Sequence, residues 1–309
     1  MGKEIVVVTA FFAINRESWK GFSRSNDLYF NYFKGWAKLK NKLIVYVEDE
    51  ELKQRILDFR KKWGLEDRTI VNIVPDIMDI DKPLFASMQK AGSNSVHQMY
   101  RVYPNNPECW NATYDYIMLL KAWCCADAVE RGQAAPDDMI SWLDFGLNHG
   151  GNVIDINSDF NYTWKYDFPD KMNVFLVQEL DQRPIFDIIL SMDTYIMGMT
   201  LIGSGHLWRP LWNMLRENMF ALNRAGLIDD DQNVILMCLR EHPDMFNTYN
   251  SSWQKPLVEF GGGHLKLVDV KEKGPVNHLR KKYRRLRYKM KVLRYAMRLY
   301  SYLSKKIVH

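Results

Sequence analysis

The stretch "EIVVVTAFF", residues 4–12, is a run of β-branched and aromatic residues with no polar face. A strand that is apolar on both sides is one buried on both sides, as in a parallel sheet covered by helices. The neighbouring segments repeat the theme. A polar stretch, "AINRESWKGFSRS", leads to a predicted aromatic-rich helix over residues 26–39, and "KLIVYVE" (42–48) reads as a second strand. Residues 50–63 form a charged amphipathic pattern, and "RTIVNIVP" (68–75) reads as a third strand. This βαβαβ order predicts an α/β fold with an open, mostly parallel sheet flanked by helices. The first strand is not followed by G-x-G-x-x-G, which argues against the usual dinucleotide site.

Further along, residues 81–108 lack a clear period and hold three prolines, so a long loop with short helical pieces is expected. Residues 111–132 read as a helix ending at Gly132, and "APDD" as a turn. "MISWLDFG" (139–146), 171–179 and 194–203 read as later strands, and 204–226 and 229–243 as helices. At 309 residues the chain is long enough for one large α/β domain or two small ones. Its four cysteines form no C-x-x-C pair and read as buried, reduced thiols of a cytosolic protein. No signal peptide or membrane-spanning run is expected, and the sequons at Asn111, Asn161 and Asn250 read as chance.

The net charge of +5 is unevenly spread. Residues 271–309 hold fourteen Lys and Arg against Glu272 alone; the tail is +13 and the remaining 270 residues carry −8. Within it, Leu279, Tyr283, Leu286, Met290, Leu293, Met297 and Tyr300 fall at alternating spacings of four and three, an apolar helical stripe between basic flanks. A coiled-coil seam would set like charges against each other, and nothing else in the chain supports a nucleic-acid arm. The reading is therefore an anionic membrane surface bound through residues 278–306, with no nucleic acid.

Asp144, in "SWLDFGLNHGG", is the residue that raises the functional question. The letters DFG occur in protein kinases, but the glycine-rich loop, strand lysine and H-R-D loop that kinases require are missing. A carboxylate at a strand's carboxyl end can hold a hard divalent cation beside a phosphate, or it can simply cap a turn. Both readings stay open on the residues alone.

"VVVTAFFAINRESW" (6–19), with "YFNYF", "WLDFG", "GSGHLW" and "DDDQNVILMCLREHPDMF", resembles the HtrL/YibB family of bacterial proteins, linked to surface-polysaccharide loci, over most of residues 4–265. That family is similar to glycosyltransferases of the GT-A type, which bind a nucleotide sugar on a Rossmann-like half and hold metal and diphosphate with a D-x-D motif. The resemblance implies a domain over 1–270, with the basic tail over 271–309. Asp144 matches the first acid of D-x-D, and Gly146 stands where the second would be. His264, in "FGGGHLK", would complete the shell of a Mn²⁺ or Mg²⁺ ion, and Lys266 would neutralise the diphosphate. Arg16 would reach that diphosphate as a bidentate donor, and Thr9, Ala10 and Phe11 would line the base and ribose.

Asp230 or Asp231 would serve as the base for the acceptor hydroxyl, and Gln232 would stabilise charge near the anomeric carbon. The same acids also suit a plain helix start. Gly203 and Ser204 would hold the acceptor and Trp208 would stack on a sugar, unless they form only a tight strand-to-helix turn. Asp193 and Lys121 are further polar candidates. The expectation is a cytoplasmic, peripherally membrane-bound transferase that moves a sugar from a nucleotide-sugar donor, a UDP-sugar, to a surface-glycan or lipid-linked glycan acceptor of lipopolysaccharide or capsule. The alternative is a non-catalytic scaffold of a polysaccharide-assembly complex at the membrane.

Overall fold

The computed structural model describes residues 2–94 and 98–268. They belong to a unit that closes at Val268, so the tail expectation for 278–306 lies outside the described residues. The strands are β1 (Val6–Phe11), β2 (Leu43–Val47), β3 (Thr69–Ile73), β4 (Met139–Leu143), β5 (Met172–Leu176), β6 (Thr200–Ser204) and β7 (Phe246–Asn250). They form one sheet in the order β3-β2-β1-β4-β6-β5-β7. β1 pairs parallel with β2 and β4, and β5 pairs parallel with β7; β6 runs antiparallel to β4 and β5.

The period of two sorts the strand residues into two cores. Val6, Val8, Ile44, Tyr46, Ile140 and Trp142 face one layer, built from α3 (Lys82–Gly92), α4 (Ala112–Glu130), α6 (Trp208–Arg224) and α7 (Asp231–Glu241). Val7, Phe11, Leu43, Val45, Val47 and Leu143 face the other, where α1 (Asn26–Trp36) and α2 (Glu50–Lys61) pack. Each fully buried Val, Leu, Ile or Phe contributes about 1.5–3 kcal/mol. This is a mixed α/β fold with a multi-stranded sheet flanked by helices, as the strand runs indicate.

Three local expectations need correction. Within 81–108, where a long loop with short helical pieces is expected, α3 is a full eleven-residue helix; Asp81 caps it by accepting from Leu84 N at 3.0 Å. Pro83 sits in its first turn, where a missing N–H costs nothing, so this proline opens a helix and does not break one. The strand expected over 194–203 is confined to β6, and only an isolated bridge, Leu176 to Ile196, precedes it. β7 and α5 (Ile185–Ser191) were not expected. Among the described residues no helix is long and apolar enough to cross a membrane.

Candidate functional site

β1 and β4 are neighbours in the sheet and point the same way, so both chains leave it at one edge. Ligands of open α/β sheets collect outside such carboxyl ends. A cavity of about 310 Å³ lies there, the size of a small-ligand site. Its lining includes Ala10 and Phe11 at the end of β1, Phe12 just after it, Tyr29 of α1, Tyr114 and Lys121 of α4, and Asp144 to Gly146 after β4.

Asp144 is held firmly. Its N–H donates to the Met199 carbonyl at 2.9 Å, extending the β4–β6 ladder by one residue. The next residue, Phe145, stacks on Phe33 of α1 with ring centroids 4.4 Å apart, and its carbonyl accepts from Trp36 Nε1 at 3.2 Å. The Asp144 side chain remains 36% exposed to the cavity side of the fold. Its Oδ1 accepts from Trp142 Nε1 at 2.8 Å and lies 3.3 Å from Lys121 Nζ.

Lys121 is the centre of the arrangement. α4 is apolar on all sides, which buries it, and Lys121 with it, at 3% exposure. An ammonium there survives only with partners. Nζ lies 3.0 Å from Asp231 Oδ2 and donates to the Gly198 carbonyl at 2.8 Å, besides its contact with Asp144. The Asp231 contact is ionic by distance but misses hydrogen-bond angles. Burial works against the lysine's charge, yet Asp144 and then Asp231 outweigh it, and its pKa is raised. Asp231 sits at about 6, pushed up by burial, pulled down by Lys121 and pushed up again by Asp144. The contact itself favours the charged form of both partners, and the rise of Asp231 comes from burial and Asp144. Two carboxyl groups and a carbonyl surround Lys121, which is an ammonium near pH 7, where Asp231 is mostly ionised.

The opposite wall is cationic and aromatic. Arg16 donates through Nη1 to Tyr29 Oη at 2.7 Å and through Nε to the Phe22 carbonyl at 3.3 Å. Its guanidinium lies 5.3–5.9 Å from the ring centres of Trp19, Tyr29 and Tyr114, within cation–π range. Nη2 has no hydrogen-bond partner among the described residues. Arg24 Nη1 lies 3.5 Å from His149 Nε2. Burial and then Arg24 lower the His149 pKa, which keeps the ring neutral at pH 7 and lets Nε2 accept. His149 stands in a run of positive φ from Asn148 to Gly151, and Asn148 pins the loop by accepting from Val153 N and Ile154 N at 3.0 and 2.8 Å.

The sequence-predicted residues divide. Ala10, Phe11, Arg16, Asp144 and Gly146 line the cavity, as does Lys121. Asp231 is not in the lining; it sits behind Lys121 with 2% of its surface exposed. Asp230 is the N-cap of α7, accepting from Gln232 N at 3.1 Å, and neither it nor Gln232 lines the cavity. Thr9 is fully buried within β1 and cannot touch a ligand there. Asp193 pairs with Arg183 at 2.6 Å.

The acceptor expectation is corrected by the direction of β6. Because β6 is antiparallel to β4, Ser204 pairs with Met139 and Thr200 with Leu143. Gly203 and Ser204 therefore sit at the end of the sheet opposite Asp144. Trp208 is fully buried, donating from Nε1 to the Gly203 carbonyl at 3.2 Å, and has no face for a sugar. His264 and Lys266 also lie outside the cavity lining. His264 stands edge-on to Tyr162 with Nε2 3.1 Å from the Asp159 carbonyl, and Lys266 is an exposed residue whose backbone pairs with Asp155 and Ser158. Arg24, Tyr29, Tyr114 and His149 complete the wall without having been expected; only the basic–aromatic density of residues 14–32 could have flagged the first two.

Residues 3–260 match the family described as "Bacterial protein of unknown function (HtrL_YibB)". The chain is similar to Protein HtrL of Escherichia coli (strain K12), 29% identical over 259 residues that cover 80% of this chain and 88% of that protein. The chain belongs to the HtrL/YibB family.

Proposed function

We propose that this HtrL/YibB member is a GT-A-type glycosyltransferase that moves a sugar from a UDP-sugar to a surface-glycan or lipid-linked glycan acceptor of lipopolysaccharide or capsule, at the cytoplasmic face of the membrane. The observation that carries the reading is the cavity at the carboxyl ends of β1 and β4, where Arg16, Arg24 and Lys121 face Asp144 between aromatic walls. Guanidinium and ammonium groups recognise diphosphate oxygens. Tyr29 and Tyr114 line the cavity and offer aromatic surface for a base and ribose.

In the transfer the acceptor oxygen bonds to the anomeric carbon, the bond from that carbon to the diphosphate oxygen breaks, and the nucleoside diphosphate leaves. Negative charge grows on the leaving oxygen. The cations stand ready for it before the reaction, so no reorganisation is needed. The acceptor hydroxyl must lose its proton, and Asp144 is the only carboxylate among the lining residues. Asp231, being buried, acts through Lys121 as a positioning residue.

A divalent cation held by Asp144 and His264 does not fit the donor set. Asp144 Oδ1 is already engaged by Trp142 and Lys121, Gly146 brings no side-chain oxygen, and His264 is bound elsewhere. Among the described residues no group of three His, Cys, Asp or Glu is arranged to hold a metal ion.

Calorimetric titration of the full chain with UDP and GDP tests the reading. UDP binding in preference to GDP, weakened about tenfold or more by Arg16→Ala as a lost charge-assisted contact implies, is the expected result. Absence of nucleotide binding would leave the scaffold reading in its place.

A further inference from the structure

The geometry points to the Lys121 ammonium as the cation of this site: it counters Asp144 and Asp231 and receives the diphosphate with no divalent ion. The nucleotide part of this inference rests on the transferase reading; the cation part rests on the contacts alone. Nζ is surrounded by oxygens from three separate elements, Asp144 Oδ1 at 3.3 Å, Asp231 Oδ2 at 3.0 Å and the Gly198 carbonyl at 2.8 Å. A divalent ion would need to approach such oxygens to about 2.0–2.6 Å. It would then lie against an ammonium that already occupies the space between the two carboxylates.

Position 146 gives an independent reason. A Cβ built on Gly146 would come within 3.2 Å of Tyr29 Cε1 and 3.3 Å of Cδ1. An acidic side chain there, as in D-x-D, would crowd the ring whose hydroxyl holds Arg16, and that ring would have to give way by a few tenths of an ångström. The glycine, the tyrosine and the caged arginine pack together, so a second metal-binding carboxylate would press on the ring that positions Arg16.

Charge complementarity supports a metal-free ligand. The lining holds three cations and one carboxylate, with His149 neutral, a net of +2. A doubly esterified diphosphate carries roughly one negative charge per phosphate, opposite in sign to the lining even when Asp231 behind Lys121 is counted against it.

The test is titration of the full chain with UDP and with inorganic pyrophosphate, each in excess EDTA and in Mn²⁺. Both ligands are expected to bind in EDTA, with affinities changed by less than about threefold in Mn²⁺. Lys121→Met is expected to weaken UDP binding in EDTA about tenfold or more, and Mn²⁺ to restore part of it by entering the vacated place. Pyrophosphate bound in EDTA with UDP no tighter keeps the inference and sinks the nucleotide reading. UDP bound only with Mn²⁺ sinks the inference and keeps the reading. Neither ligand bound in either buffer sinks both. The comparison of buffers uses the native chain, so it decides even if Lys121→Met does not fold; a folded variant that binds UDP in EDTA like the native chain overturns the inference.

Discussion

Two buried acidic regions flank α4, and they solve the same problem in opposite ways. At the middle of the helix, Asp231 has an ammonium 3.0 Å away and Asp144 shares it. At the first turn, Asp115 is fully buried and neither of its oxygens has a hydrogen-bond partner among the described residues. Arg101, which acts on Asp115, is committed to Asp229 at 2.8 Å and to the Ile228 carbonyl. A buried charge with a partner can stay charged; one without gives up its charge. Burial, then Asp229 and Asp230, push the Asp115 carboxyl well above the usual range, with Arg101 opposing and Glu108 adding to it. Asp231 therefore has a counter-charge beside it and Asp115 sits in the fold as a neutral carboxyl, although both are read as aspartates in the chain.

Removing the cation should break the comparison most strongly. Lys121→Met leaves Asp144 and Asp231 facing each other without a counter-charge, and losing one partner of a buried pair costs about 3–5 kcal/mol. Denaturant unfolding at pH 8 reads this directly. The deficit should shrink at pH 5, because Asp231, at about 6 even with Lys121 present, then takes up a proton and escapes the repulsion. A variant as stable as the native chain at pH 8 would mean the lysine is not the counter-charge.

Asp115→Asn should act in the opposite sense. A carboxyl with a raised folded pKa holds its proton in the fold while the unfolded chain ionises from its ordinary value of 3.8 upward. Stability is then lost as pH rises through that window, by at most about 1.4 kcal/mol per pH unit. Asn has the same shape and no proton to lose. The variant's thermal midpoint should therefore rise relative to the native one between pH 5 and pH 8. A constant gap would show that Asp115 is charged or solvated.

How much of this could be read from the chain follows the range of the interactions. Apolar runs such as "IVVV" and "LIVYV" are local, and the sheet's first half followed from them. Asp144 at a strand's end and Arg16 after β1 were visible for the same reason. Lys121 had a weaker signal, a lone cation inside "YIMLLKAWCCADA", where an all-apolar helix implies a buried charge in need of partners. Its partners at 144, 198 and 231 come together only in the tertiary fold. The acceptor residues were misplaced because nothing in "TLIGSGHLW" tells that β6 runs against its neighbours; reversing one strand moves Ser204 from the cavity edge to the far one. The glycines of "FGGGHLK" likewise signal a turn and not its location.

The smallest effect comes from the third oxygen around Lys121. Gly198 gives its carbonyl to Nζ, and its α-carbon faces the carboxylate that Nζ also meets. A Cβ on Gly198 would stand 2.8 and 2.9 Å from the two Asp231 oxygens and 3.1 Å from Gln232 Cγ. Asp231 is a short side chain at the first turn of α7, with an ammonium on its other side, so it has little room to swing. Gly198→Ala should therefore cost about 1–3 kcal/mol, the usual penalty for overpacking. Gly35 in α1 is the control: its Cβ would meet nothing within 4 Å, and Ala there should gain about 0.5–1 kcal/mol from helix propensity alone. If both substitutions moved the unfolding midpoint upward, Asp231 would be free to leave Lys121. Lys121 would then be held by Asp144 and the Gly198 carbonyl without Asp231.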